Sequence, residues 1–271
     1  MIFDCVTYKN EDIILDLRLN ILDEFVDKFI IVEATKDHAG NAKKLNFNKE
    51  KFKKFEKKIR YIVVDDMPEK VKSFRYNSRW WHENIVRDIH QRNQIMRGLY
   101  DAKDDDLIVI SDIDEIPNLR KFKYNDKLRY TVFCQKNFSY KINLINKTFP
   151  IWHGTKGCKK KYLKTPQWLR NKKIKKRTFL NFFNIKWNVI NNGGWHFSYL
   201  MTPDQIREKI MSFGHAEFNH AKFTDITKIE EKIYKNLDLY DREQIYEKVD
   251  LDNSFPLLIH QDKKNLSKWI I

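Results

Sequence analysis

The sequence predicts an α/β fold built on a mostly parallel sheet. Three observations lead there. Short apolar runs alternate with segments of helical periodicity over the first 126 residues. Runs such as Phe29-Ile30-Ile31-Val32 are continuously apolar, as strands covered on both faces are. Three of the first four runs end in polar or acidic residues, where an open α/β sheet places its ligands.

Taken in order, Ile2–Thr7 is the first strand and ends at Tyr8-Lys9-Asn10-Glu11. Ile14, Leu17, Ile21, Leu22 and Phe25 recur at helical spacing and predict the helix that follows. Phe29–Val32 is the second strand, ended by Glu33, and Ile59–Val64 is the third. Ile85, Ile89, Met96 and Leu99 mark a helix reaching Tyr100. Leu107–Ile110 is the fourth strand, ended by Ser111-Asp112-Ile113-Asp114-Glu115. Beyond residue 126 the pattern changes. Tyr130–Phe133 and Phe138–Ile145 read as longer strands that pair with each other. Thr202-Pro203-Asp204-Gln205 opens a helix, with Thr202 as cap, Pro203 at the first position and Gln205 closing a capping box. Asp225–Leu237 predicts one more, with Ile226, Ile229, Ile233 and Leu237 on one face. No repeat and no linker rich in Gly, Pro or Ser divides the chain, so a single domain is expected.

Composition narrows the function classes. With 42% hydrophobic and 14% aromatic residues, the 271-residue chain can bury a sizeable core, which excludes overall disorder. Its three cysteines, Cys5, Cys134 and Cys158, are too few and too scattered for a disulfide framework or a four-cysteine zinc site. The net charge of +15 points first to nucleic acid, but the charge is localised. Lys127 to Pro203 holds 17 Lys and Arg and no acid, and the remainder is nearly neutral, with 35 basic against 37 acidic residues. The segment reads either as a solvated basic face or as a docking surface for a phosphate-bearing, anionic or membrane-borne partner. The competing class is a nucleic-acid-binding protein or metal-dependent nuclease using this segment with its interleaved Tyr162, Trp168, Phe179, Phe182 and Phe183. The chain opens on a strand without a basic n-region, and no run approaches the ~20 apolar residues of a membrane span. A cytoplasmic protein is expected, with peripheral contact to the inner membrane as a variant.

Asp112 and Asp114 alternate on a segment read as extended, so both side chains can face one way. Two carboxylates at that spacing suit a hard divalent cation shared with a substrate phosphate; the competing reading is a turn. On the preceding helix, Arg92 can neutralise a diphosphate and Asn93 can bond a ribose or base edge. Glu33 can accept from a ribose hydroxyl, as acidic residues at strand ends do in dinucleotide folds. In Asn191–Tyr199 the pair Gly193-Gly194 permits close backbone approach to a ligand, Trp195 can stack on a sugar, and His196 can ligate a metal. Ser212–Glu217 adds His215 and Glu217.

In this order along the chain, Tyr8-Lys9-Asn10-Glu11, Glu33, Gln91-Arg92-Asn93, Ser111–Pro117 and Gly194–Tyr199 resemble glycosyltransferase family 17, with the similarity running from Met1 to Glu217. The resemblance implies a GT-A-like, Rossmann-type nucleotide-sugar-binding sheet with an acceptor-side extension and C-terminal helices. The parts are then a nucleotide-sugar half at 1–126, a basic acceptor-side half at 127–217 and a helical tail at 218–271. It implies inverting transfer of a sugar, GlcNAc first, from a UDP-sugar to a glycan or glycolipid, with Mn²⁺ or Mg²⁺ held by Asp112 and Asp114. His196 is the further metal candidate. Asn10, Glu11, Glu33, Arg92, Asn93, Asp112 and Trp195 are the donor-binding candidates, and Glu115 and Glu217 the candidates for general base. The acceptor is expected to be anionic or membrane-borne, with Lys159, Lys160 and Lys161 contacting it, and no nucleic-acid partner is expected.

Overall fold

In the computed structural model, residues 1–69, 71, 74–76, 79–174, 187–212 and 218–271 are described. Among them the chain runs β1 (Ile2–Thr7), α1 (Asp12–Leu22), β2 (Lys28–Ala34) and β3 (Ile59–Val64). It continues with β4 (Phe74–Tyr76), β5 (Arg79–Trp81), α2 (Glu83–Asn93), β6 (Leu107–Ser111) and β7 (Glu115–Pro117). Then come β8 (Tyr130–Phe133), β9 (Gln135–Ser139), β10 (Leu144–Asn146), β11 (Ile151–Trp152), β12 (Lys156–Lys159) and α3 (Pro166–Asn171). The last part holds β13 (Trp187–Ile190), β14 (Gly194–Ser198), α4 (Pro203–Ser212), α5 (Ala221–Thr224), α6 (Ile226–Tyr234), β15 (Tyr246–Lys248) and α7 (Leu257–Gln261).

The main sheet has the order β13-β8-β12-β6-β1-β2-β3. Its core, β6-β1-β2-β3, is parallel, whereas β12 runs antiparallel between β6 and β8. The apolar runs are continuous because both faces are covered. Side chains alternate, so Val6, Phe29, Ile31 and Val109 face a core shared with Leu15 and Leu19 of α1. Phe3, Cys5, Ile30, Val32, Ile108 and Ile110 face the other way, against Ile95 and Leu99 after α2 and Leu169 of α3. A second, mixed sheet, β15-β10-β9-β14-β7 with β11 beside β9, packs Phe138 and Phe197 into the first of these cores.

Several expectations change. Tyr130–Phe133 and Phe138–Ile145 do not pair, since β8 belongs to the main sheet and β9 to the second. Phe138–Ile145 is split into β9 and β10 around Tyr140, which has φ 63°. The tail beyond residue 218 is not all helical: β15 pairs antiparallel with β10. Strands β8, β12 and β13 join the same sheet as β1–β3, so the middle stretch is woven into the first half. The capping box is present, with the Thr202 N–H donating to Gln205 Oε1 at 3.0 Å.

Gly193-Gly194 serves the strands, and no ligand approach. Gly194 has φ +133°, and a Cβ there would collide with the backbone carbonyl of Ile116 on the neighbouring β7 and lie 2.8 Å from the nitrogen of Asn118, just after that strand. Gly194→Ala is expected to cost on the order of 2–3 kcal/mol. A thermal melt checks this, and an unchanged transition would refute it.

The basic segment is also partly neutralised. Lys159 pairs with Asp105 (2.8 Å) and Asp126 (3.1 Å), and Lys161 with Asp105 (2.8 Å). Lys159 is in register with Leu107, at the start of β6, so this cluster sits at the end of the sheet opposite Asp112. That placement removes Lys159–Lys161 from the acceptor role expected of them. Tyr162 and Trp168 pack against the core instead of forming a stacking platform. Phe179, Phe182 and Phe183 lie outside the described residues.

Candidate active site

The carboxyl ends of β1, β2 and β6 open onto a cleft of about 530 Å³, a volume suited to a small-molecule ligand. Tyr8, Lys9 and Glu11 follow β1, Asp37 and His38 follow β2, and Asp112 and Asp114 follow β6. Helix α2 adds Arg92, β14 adds His196, and α4 adds Lys209.

Asp112 and Asp114 are held in a turn. The Glu115 N–H donates to the Asp112 carbonyl at 3.1 Å, and the Asp112 N–H donates to Glu115 Oε2 at 3.0 Å. This corrects the extended reading and separates the two carboxylates. Beneath the turn lies Arg18, fully buried on the inner face of α1. Its guanidinium makes a double ion pair with Asp4 of β1 (2.6 and 2.7 Å). It also donates to the carbonyls of Asp112 and Ile113 (3.3 Å each) and Glu115 (2.8 Å). A buried guanidinium is thus the backbone support of the turn.

Asp112 is committed to arginines. Its Oδ1 accepts from Arg92 at 3.1 Å and its Oδ2 from Arg170 at 2.5 Å. Burial by itself raises the Asp112 carboxyl, but the Arg170 and Arg92 guanidiniums outweigh it and hold the group well below the usual carboxylate range. Arg92 is bound in turn to both oxygens of Asp88 (3.0 Å) and to Gln167. Arg170 also grips Glu115, which is fully buried and accepts from the Trp152 indole at 2.6 Å. Glu115 is therefore walled off from the cleft, so its expected role as general base gives way to one of positioning Arg170 and Trp152.

Asp114 and His196 behave differently. Asp114 Oδ1 lies 3.7 Å from His196 Nε2. The Asn137 amide N–H₂ donates to the Phe149 carbonyl (2.9 Å), which turns its Oδ1 toward His196 Nδ1, also at 2.9 Å. Nδ1 therefore carries the proton in the neutral ring, and Nε2 is left as a lone pair beside a carboxylate. Two acceptors facing each other fit a shared cation, because ligands about 2.1 Å from one ion lie roughly 3.0–3.7 Å apart. The Asn137 bond is the outer support that metal-ligating histidines carry. Among the described residues no group of three His, Cys, Asp or Glu side chains converges, so further ligands would come from substrate and water. Asp112, tied to two arginines, is not part of this set.

Lys209 stands 3.5 Å from Asp114 Oδ2 and 3.9 Å from Glu11 Oε1. Burial lowers its affinity for a proton, and Asp114, Glu11 and Asp112 outweigh burial and raise it. Trp152 is half-exposed, stacked on the His196 ring at 4.7 Å and 21°, with its indole N–H fixed by Glu115.

Of the remaining expected residues, Glu11 and Arg92 line the cleft. The Asn10 side chain donates to Glu208 at 3.3 Å at the rim. Asn93 Oδ1 accepts from the Gln167 N–H (3.1 Å) and fixes α3, and the residue is not part of the cleft lining. Glu33 is fully buried and saturated by Lys43, Tyr61 and the N–H groups of Asn46 and Phe47, so it shapes the loop after β2 and does not reach a ribose. Trp195 is buried, with its indole N–H on the Ser254 carbonyl (3.0 Å), so Trp152 is the aromatic at the site. Glu217 lies outside the described residues. Arg18 had a sequence signal, being a cation at helical spacing with the core residues Leu15 and Leu22, and Lys209 a weaker one, three residues after the core residue Ile206. Arg170, 58 residues from Asp112, had none.

Comparison with known proteins gives the family of the chain. The family model for glycosyltransferase family 17 matches residues 1–153. The beta-1,4-mannosyl-glycoprotein 4-beta-N-acetylglucosaminyltransferase of Homo sapiens is 21% identical over 240 residues, covering 80% of this chain and 44% of the relative. Its Rattus norvegicus counterpart is 20% identical over 244 residues, with 80% and 43% covered. The chain spans less than half the length of these curated relatives. More than half of this chain falls within the family match, its acidic turn included, and the chain belongs to glycosyltransferase family 17.

Proposed function

We propose that this glycosyltransferase is a single GT-A-type domain that transfers GlcNAc, with inversion, from UDP-GlcNAc to a glycan or glycolipid acceptor. The observation that carries the reading is the Asp114–His196 pair, two acceptors 3.7 Å apart at the ligand end of the parallel strands. They would hold Mn²⁺ or Mg²⁺, which when bound supplies Lewis-acid stabilisation of the departing diphosphate. Arg92 contributes positive charge on the α2 side of the cleft. In the transfer, the bond from the anomeric carbon to the phosphate oxygen breaks, and its electron pair leaves with UDP. The acceptor oxygen bonds the anomeric carbon and its proton passes to a general base. Glu217, five residues beyond the cleft residue Ser212, is the proposed base, because Glu115 is enclosed.

Trp152 is proposed as the platform for the acceptor sugar, since its indole is rigidly fixed and half-exposed beside His196. Trp152→Ala is expected to raise the acceptor KM about tenfold, with donor affinity unchanged. Steady-state kinetics with each substrate varied in turn checks it, and an unchanged acceptor KM would refute the assignment. For the function as a whole, the test is a thermal-shift titration with UDP-sugars, with and without Mn²⁺, followed by assay of UDP release. UDP-GlcNAc should raise the melting temperature only with the cation present. If no UDP-sugar shifts it under either condition, the reading fails.

A further inference from the structure

The cations on the cleft wall are not equally committed. Lys43 is bound to the buried Glu33 at 2.5 Å, Lys36 to Glu69 at 3.0 Å, and Arg92 to both oxygens of Asp88 at 3.0 Å. Lys9 donates to Ser212 Oγ and to the Glu208 carbonyl. Lys209 is the exception among the described residues, with its carboxylate contacts at 3.5 and 3.9 Å. Its ammonium sits 5.5 Å from the centre of the Tyr199 ring, between two acids and within the same cleft as His196. Helix α4 holds it there through the buried Ile206 and Ile210 on either side.

We propose that Lys209 is an exchangeable counter-ion: it neutralises Asp114 and Glu11 when no divalent cation is bound, and contacts the donor diphosphate when one is. The inference rests on the cation site proposed at Asp114 and His196. The physical reason is competition for one carboxylate. An ammonium 3.5 Å from Asp114 repels a divalent ion arriving at the same side chain. The loosely held ammonium is displaced at little cost, and the phosphate oxygens brought in with the donor offer a new partner of opposite charge. Lys209 then opposes binding of the free cation and favours binding of the cation together with the nucleotide, which couples the two ligands.

Two affinities should consequently move in opposite directions. In Lys209→Met, calorimetric titration with Mn²⁺ alone should show about tenfold tighter binding, because a competing charge is gone. Titration with UDP in saturating Mn²⁺ should show about tenfold weaker binding, because a phosphate partner is gone. Lys209→Arg keeps the charge and should stay near wild type in both. Lys209→Gln carries the same test as Lys209→Met should that variant not fold. Unchanged Mn²⁺ affinity in the neutral variants, or unchanged UDP affinity, overturns the proposal. Asp114→Asn separates the two levels. If it retains Mn²⁺ binding, the cation site fails and the role of Lys209 fails with it. If it loses Mn²⁺ binding while Lys209→Met leaves both affinities at wild type, the role of Lys209 alone fails.

Discussion

Asp114→Asn is expected to lower turnover by about 10²–10³-fold while leaving the fold intact. Asparagine preserves the shape of the side chain and removes the charge that lies 3.7 Å from His196 Nε2. The cost in stability is expected to stay within about 1 kcal/mol, because Lys209 lies 3.5 Å away, beyond a close ion pair, and also has Glu11. Asp112→Asn should behave differently, although the sequence presents the two aspartates as equivalents. It leaves the Arg92 and Arg170 guanidiniums without the carboxylate between them, so the melting temperature should fall along with activity. Because the Asp112 carboxyl titrates below its usual range, its contribution is complete above about pH 4. It is lost as pH falls through the lowered folded-state value. Mn²⁺ titration and thermal melts on the two variants distinguish the roles. Equal loss of cation binding with equal retention of stability would contradict the assignment.

Arg18→Met should be the most destabilising change among those considered, at about 3–5 kcal/mol. Arg18 is completely buried, and its loss strands the Asp4 carboxylate in the core with no counter-charge. It also removes the donor shared by the carbonyls of Asp112, Ile113 and Glu115. A fall in melting temperature of about 10 °C is expected for a chain of this size. The double variant Asp4→Leu/Arg18→Met should recover part of the stability, since an apolar replacement of a buried pair is often tolerated. It should recover little activity, because the turn holding Asp112 and Asp114 still lacks its support. A single-variant melting temperature within 2 °C of wild type, an interval of about 1 kcal/mol, would refute this account.

The legible parts of this protein are those whose physics is local. The apolar runs of β1, β2 and β6 announced buried strands, that of β3 a strand that lies partly buried at the sheet edge, and Thr202, Pro203 and Gln205 announced the start of α4. The acids and polar residues after the strands marked the end of the sheet where the cleft opens. Within that set, however, residue type did not reveal orientation. Glu33 and Glu115 are acids at or near strand ends, as Asp114 is, yet both are buried in hydrogen bonds. Trp195 and Trp152 are equally able to stack on a sugar, and only the second is exposed beside the cleft.

The sequence by itself determined the α/β class, the strands that carry the site and the acidic residues that follow β6, because periodicity acts between near neighbours. Tertiary contacts folded those acids into a turn. Tertiary structure decided which of those residues face the cleft. Arg170 crosses 58 positions of chain to claim Asp112, Arg18 reaches from α1 to hold the turn, and Asn137 fixes the ring of His196 from another strand. It also placed Lys159 and Lys161 at the far end of the sheet, against Asp105 and Asp126, by running β12 antiparallel to β6. A charge count along the chain shows where the basic residues are in sequence. Whether they meet a ligand or an acid of the same chain depends on strand direction and register, which only the folded sheet fixes.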